Sequence, residues 1–147
     1  MLNQDYKDML FLLLKNNVDF LLIGAYAMAV HGFPRATADI DIFVRPDPKN
    51  AQQVYKTLAD FGAPLNNISS SDFENPGTIF QIGVTPRRID IITEIDGLSF
   101  DEAAEGKEIV EIEGLYIPVI SKLKLIINKL STGRDKDRLD AENLKKL

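Results

Sequence analysis

The stretch Asp39-Ile40-Asp41-Ile42-Phe43-Val44 decides how the rest of this sequence is interpreted. Side chains along a β-strand point alternately to opposite faces, so the alternation of acidic and apolar residues predicts a strand. Asp39 and Asp41 then lie side by side on one face, and Ile40 and Ile42 lie on the other. Two adjacent carboxylates repel each other unless a cation or a donor offsets their charge. The Asp-x-Asp pair therefore indicates a site for Mg²⁺ or Mn²⁺.

A second acidic strand is predicted at Arg88-Ile89-Asp90-Ile91-Ile92. Its carboxylate lies among apolar residues, where a charge needs compensation. If this strand lies beside the first, Asp90 becomes the third carboxylate of a two-metal site for phosphoryl chemistry. The alternative is that all three are solvated residues of a strand face, although Asp is disfavoured in strands.

The segment before the acidic pair contains further candidate contacts. The short apolar run from Val18 to Ile23 stops at Gly24, and helix-permissive residues follow, so strand, tight turn and short helix are predicted. Backbone N–H groups at such a turn can bind phosphate, and a plain tight turn is the alternative for Gly24. Arg35 and Thr37 can contact a triphosphate or brace the acids, or Arg35 can be an exposed loop residue.

The remaining patterns predict an α+β (α/β) fold, in which helices flank a mixed sheet and a helical tail follows. We expect one domain over residues 1–147, with its core at about 18–118 and C-terminal helices at about 119–147. Further predicted elements are a helix ending near Asn16-Asn17, a helix opening at Pro48, a hairpin within 78–93 and two strands around Glu113-Gly114. Residues 64–77 have the least ordered-looking sequence and are predicted as a surface loop near a ligand.

Composition excludes several kinds of site. The 147 residues include 0 Cys and 1 His, which excludes disulfides, a thiolate zinc site, a cysteine nucleophile and a multi-histidine metal site. No apolar run approaches the roughly 20 residues that span a bilayer, and the N-terminus lacks the basic region of a secretory signal. The expectation is a cytoplasmic protein without a membrane partner.

Two motifs carry a likeness to a known family: Leu22-Ile23-Gly24-Ala25-Tyr26-Ala27 and Gly32-x-x-Arg35-x-Thr37-x-Asp39-Ile40-Asp41-Ile42. They resemble the nucleotidyltransferase superfamily, which has the DNA polymerase β-like fold. The resemblance covers about residues 18–93 and is greatest to small stand-alone prokaryotic members, including relatives of abortive-infection toxins. It implies that Asp39 and Asp41 bind both metals, that Asp90 holds the catalytic metal and helps to activate an acceptor hydroxyl, and that Gly24 approaches the triphosphate. Ala25 stands where the family has Gly or Ser, which leaves phosphate binding to backbone N–H groups.

The C-terminal segment adds candidate cations. Lys122 and Lys129 are seven residues apart, so on a helix they share nearly one face and can reach a triphosphate or acceptor. A solvated basic face is the alternative. In related toxins a lysine and an aspartate of this tail join the active site, which would fit Lys122 or Lys129 together with Asp137, and the spacing does not choose between the lysines.

The leading functional hypothesis is transfer of a nucleoside monophosphate from an NTP to an acceptor hydroxyl, with release of pyrophosphate. An RNA 3′ end, a protein hydroxyl and a small molecule all remain open as acceptors, and a tRNA-directed toxin with an antitoxin partner is one version that the resemblance suggests. The alternative is a weak or inactive nucleotide- or partner-binding module, motivated by Ala25 and the small size. A phosphatase with Asp39 as nucleophile fits less well, because Phe43 stands where such enzymes usually have Thr or Val.

The net charge of −5 argues at first against a phosphate-containing partner. The charge is unevenly distributed, however. Residues 121–147 contain 8 basic and 4 acidic residues, whereas residues 94–113 contain 8 acidic residues and one Lys. The acidic excess therefore lies largely outside the predicted site, and bound metal would offset the remaining carboxylates.

Overall fold

A computed structural model describes residues 2–34 and 39–147 of the chain. The helices are α1 (Gln4–Lys15), α2 (Gly24–Val30), α3 (Pro48–Phe61), α4 (Phe100–Ala104), α5 (Lys122–Ser131) and α6 (Asp135–Lys145). The strands are β1 (Phe20–Ile23), β2 (Asp39–Val44), β3 (Ile79–Ile82), β4 (Arg88–Ile92), β5 (Glu108–Ile112) and β6 (Leu115–Val119). Among the described residues, no helix is long and apolar enough to cross a membrane.

The described strands form one six-stranded sheet in the order β3-β4-β2-β1-β6-β5. Strand β2 runs parallel to β4 and antiparallel to β1, while β1 runs parallel to β6. The antiparallel hairpin of β3 and β4 lies at one edge of the sheet, and the antiparallel hairpin of β5 and β6 lies at the other edge. This arrangement confirms the mixed sheet flanked by helices that the sequence patterns predict.

Local sequence explains where the helices begin and end. Asn3 accepts a hydrogen bond from the Tyr6 backbone N–H and caps α1. Asp47 caps α3 in the same way through the backbone N–H of Asn50, and Pro48 occupies the first turn, where its missing N–H costs nothing. Gly62 ends α3 in the left-handed conformation with φ of 89°. These caps lie close to the predicted boundaries.

The central strands carry the core. All four residues of β1 are buried, and in β2 the side chains of Ile40 and Ile42 are fully buried while the two Asp residues are partly exposed. This difference confirms the alternation that Asp39-Ile40-Asp41-Ile42 predicts. The apolar face anchors the strand, so the carboxylates have a fixed position on the opposite face.

The segment 64–77 is more ordered than its sequence suggests. It contains a 3₁₀ turn at Ser70–Phe73, where Oδ2 of Asp72 accepts a hydrogen bond of 2.8 Å from the backbone N–H of Ser69. Phe73 is fully buried and packs edge-to-face against Phe80 of β3, with ring centroids 6.2 Å apart. A single aromatic anchor thus ties a polar loop to the sheet, and a lone Phe among polar residues has no periodicity that would reveal it.

We expect Phe73→Ala to lower the free energy of unfolding by about 3–5 kcal/mol, because it leaves a cavity under the loop. Phe11→Ala is the matched control, since Phe11 is 52% exposed and its truncation should change stability by no more than about 0.5 kcal/mol. Urea unfolding of both variants measures the difference, and equal effects would contradict the anchoring role.

Candidate active site

Three carboxylates meet where β2 and β4 run side by side. The parallel register pairs Asp41 with Asp90 and Asp39 with Arg88. Asp39, Asp41 and Asp90 each offer a ligand oxygen, and these oxygens all lie within 4.8 Å of one another. The strand pairing on which the third carboxylate depended is therefore present. Oxygen-only ligands at this spacing are the donor set that Mg²⁺ and Mn²⁺ prefer.

The electrostatics of the cluster also fit a cation. The pKa of Asp41 is raised to about 7, chiefly by burial and also by the neighbouring negative charges of Asp39 and Asp90. The positive charge of Lys129 acts the opposite way. A carboxyl whose ionised form is disfavoured by burial and by two like charges gains most from a nearby divalent cation.

Gly24 allows the turn after β1 to approach the carboxylates closely. It has φ of 69° at the start of α2, a conformation that L residues with a Cβ rarely adopt. A Cβ added there would overlap Oδ2 of Asp41 and would lie 3.2 Å from the Asp41 Cβ. Strand pairing explains the proximity, because Ile23 is the register partner of Asp41. Ala25 follows directly in α2, so the Gly24-Ala25 turn lies beside the acidic cluster.

Arg88 belongs to the site, although the sequence analysis gave this first residue of the predicted acidic strand no role. Its guanidinium bridges two of the carboxylates: Nη2 donates to Oδ2 of Asp39, and Nε donates to Oδ1 of Asp90 at 2.9 Å. Nη2 also donates to Oδ2 of Asp90 at 3.2 Å. The signal was available, because residues 88 and 90 are two apart in a strand and so share a face.

Tyr6 is a second residue that sequence reasoning missed at this site. It lies on α1, is 1% exposed, and its hydroxyl donates to the backbone oxygen of Arg88 at 3.0 Å. The pKa of Tyr6 is raised to about 12, chiefly by burial and also by the neighbouring Tyr26, Asp39 and Asp90. Tyr6 thus remains a neutral donor that holds the start of β4. Its position in an ordinary amphipathic helix gives no hint of this role.

The C-terminal helices contain a buried ion network whose lysine, Lys129, acts electrostatically on Asp41. Nζ of Lys129 lies 3.4 Å from Oδ1 of Asp137 and 3.3 Å from Oδ2 of Asp140, and both aspartate side chains are only 4% exposed. Thr132 and Arg134 donate to the other oxygen of Asp137, each at 2.7 Å. Burial opposes ionisation of Asp137, but these donors and Lys129 hold its pKa below the usual value.

Lys122 and His31 bond to groups outside the acidic cluster. Nζ of Lys122 donates to the backbone oxygen of Leu147, so the structure does not bring this lysine to the acidic cluster as it does the charge of Lys129. The ring of His31 hydrogen bonds through Nε2 to the oxygen of Ile120 at 2.7 Å, which fits a packing role. Arg35 and Thr37 lie outside the described residues.

Solved structures of other proteins have the same fold. TM1012 of Thermotoga maritima, classed as a nucleotidyltransferase, aligns with a TM-score of 0.66 and 20% identity over 99% of this chain and 94% of that chain. The lincosamide antibiotic adenylyltransferase LnuA, solved with lincomycin bound, gives 0.59 and 19% over 99% and 97%. The antibiotic-resistance factor ANT(2'')-Ia gives 0.62 and 12% over 95% and 80%. A comparison with curated proteins gives no match.

The fold is that of the nucleotidyltransferases, and the acidic cluster lies on its central strands. The family model described as "Nucleotidyl transferase of unknown function (DUF2204)" matches residues 2–147, and the chain belongs to this family. Its general chemistry is therefore transfer of a nucleotidyl group. This confirms the superfamily that the strand, turn and Asp-x-Asp motifs predict.

We expect Gly24→Ala to destabilise the protein more than Gly62→Ala does. Both residues have positive φ, which costs an L residue about 1 kcal/mol, but nothing lies within 4 Å of a Cβ at Gly62. At Gly24 the added methyl must also displace Asp41. Thermal unfolding of the two variants measures the excess, and equal shifts would contradict the close approach.

We expect Lys129→Met to lower the free energy of unfolding by about 2 kcal/mol, because it leaves two buried carboxylates without their shared cation. Lys145→Met is the control, since Lys145 pairs with Glu142 on the surface and its loss should cost no more than about 0.5 kcal/mol. Urea unfolding at neutral pH gives both values. A Lys129 effect as small as the Lys145 effect would contradict the buried network.

Proposed function

We propose that this protein transfers a nucleoside monophosphate from an NTP to an acceptor hydroxyl, with release of pyrophosphate, and that Asp39, Asp41 and Asp90 hold Mg²⁺ or Mn²⁺ for the reaction. The observation that carries the proposal is the meeting of the three carboxylates on adjacent parallel strands. When bound, the divalent metal would neutralise triphosphate charge and polarise the reacting oxygens. Most of the rate would then come from positioning and electrostatics.

The neighbouring residues would handle the nucleotide and the acceptor. Gly24 and Ala25 would approach the triphosphate with their backbone, since the turn lies beside Asp41 without a side chain at position 24. Lys129 is the lysine that we propose for the triphosphate, oriented by Asp137; Lys122 is the weaker candidate because its ammonium already binds Leu147. Arg35 and Thr37 complete the proposed nucleotide contacts. Asp90 would accept the proton of the attacking hydroxyl.

Several classes of acceptor fit the proposed reaction. LnuA was solved with the small molecule lincomycin, and a further ANT(2'')-Ia structure contains adenylyl-2''-tobramycin. These proteins support a small hydroxyl compound as one acceptor. An RNA 3′ end, a tRNA-directed toxin held by an antitoxin and a protein hydroxyl are the other forms of the proposal. Ala25 favours the second candidate function, a nucleotide-binding module that does not turn over.

The test incubates the protein with each α-labelled NTP, Mg²⁺ or Mn²⁺, and in turn total RNA, a protein fraction and a panel of small hydroxyl compounds. Metal-dependent release of pyrophosphate together with transfer of label supports the proposal and identifies the acceptor. Metal-dependent NTP binding without transfer to any acceptor would support the binding module instead.

We expect Asp41→Asn to reduce transfer by at least about a thousandfold, because it removes a charge from the metal ligands at nearly constant shape. The metal-free protein should not lose stability, since the substitution also removes repulsion from Asp39 and Asp90. Asp96→Asn is the control, because Asp96 is exposed outside the site. Near-normal transfer by the Asp41 variant would reject the metal site.

A further inference from the structure

Arg88 stands in a position that a metal ion would need. Its guanidinium makes three hydrogen bonds to Asp39 and Asp90, two of the three carboxylates proposed as metal ligands. The oxygens that accept these bonds include both oxygens of Asp90 and Oδ2 of Asp39. A carboxylate oxygen that is engaged by a guanidinium has fewer lone pairs available for a cation, and the fixed positive charge repels that cation.

Several features hold the guanidinium at this place. The parallel register puts Arg88 directly opposite Asp39, and its spacing from Asp90 puts both side chains on the same face of β4. The Tyr6 hydroxyl fixes the Arg88 backbone through its oxygen. The Arg88 side chain is nevertheless 31% exposed. It can therefore leave the carboxylates for solvent without disrupting the core.

We propose that Arg88 is an internal counter-cation of the acidic cluster, which occupies Asp39 and Asp90 in the metal-free protein and competes with the divalent metal for them. This inference rests on the metal site of the proposed function. Removing the guanidinium should therefore tighten metal binding while it destabilises the metal-free protein. If Arg88 only supported the shape of the site, its removal would weaken metal binding and also destabilise the metal-free protein.

The neighbouring Arg87 supplies a matched control. It is exposed, and substitution removes the same unit of charge from the adjacent position of the chain. Arg88→Lys provides a second comparison, because an ammonium keeps the charge but loses the planar fork that reaches two carboxylates at once. Both comparisons separate local competition from a change in the net charge of the protein.

The experiment titrates wild type, Arg88→Met, Arg88→Lys and Arg87→Met with Mn²⁺ alone at pH 8, and free Mn²⁺ is followed by electron paramagnetic resonance. We expect Arg88→Met to bind Mn²⁺ about tenfold more tightly than wild type, because a unit charge next to the ligands is removed. Arg88→Lys should fall between them, and Arg87→Met should stay within about twofold of wild type. Equal or weaker binding by Arg88→Met, or an equal gain in Arg87→Met, would overturn the proposal.

Thermal unfolding of the same proteins supplies a readout that does not depend on catalysis. Without metal, Arg88→Met should melt about 4 °C below wild type, and saturating Mn²⁺ should abolish that difference. A deficit that persists in saturating Mn²⁺ would mean that Arg88 keeps its contacts when metal is bound, which overturns competition. Asp90→Asn is titrated with Mn²⁺ in the same way to test the metal site separately. Loss of Mn²⁺ binding in Asp90→Asn with no effect of Arg88→Met would reject the role of Arg88 and support the metal site. If wild type and Arg88→Met both fail to bind Mn²⁺, the metal site and the inference fail together.

Discussion

Mutual repulsion among Asp39, Asp41 and Asp90 is the constraint to which the neighbouring structure is adapted. Three carboxylate oxygens within 4.8 Å cannot all be ionised at low cost in a partly buried site. Burial, together with the charges of Asp39 and Asp90, raises the pKa of Asp41. The guanidinium of Arg88 offsets part of the repulsion on Asp39 and Asp90, so the site contains both the anions that a metal needs and a cation of its own.

The sheet explains why the carboxylates can be kept together despite this repulsion. Ile40 and Ile42 on β2, and Ile89 and Ile91 on β4, are buried on the opposite face, so neither strand can slip by one residue without exposing them. Apolar burial on one face therefore fixes the charged groups on the other. Gly24 completes the arrangement, because only a residue without a Cβ lets the turn between β1 and α2 pass so close to Asp41.

The predictable part of the site came from its periodicity. Alternation in β2 and β4 placed Asp39, Asp41 and Asp90 on strand faces before any pairing was known. Two kinds of contact were not predictable. The bond from Arg88 across to Asp39 and the choice of Lys129 over Lys122 depend on how side chains meet across elements, which sequence spacing does not show. Phe73 lies in a polar loop, where one buried aromatic residue leaves no repeating pattern.

The acidic balance of the chain has a structural explanation that is separate from the site. All eight acidic residues within 94–113 are exposed, and several of them lie on or next to β5, which is an edge strand. Charged side chains on an edge strand discourage pairing with another sheet. Strand β5 is three strands away from β2, about 14 Å across the sheet at the usual strand spacing. That distance exceeds a Debye length of about 8 Å at physiological salt, so the acids of β5 oppose a triphosphate at the cluster only weakly. Part of the net negative charge therefore lies at a sheet edge away from the site, whereas Arg88 and Lys129 are cations that act on the carboxylates themselves.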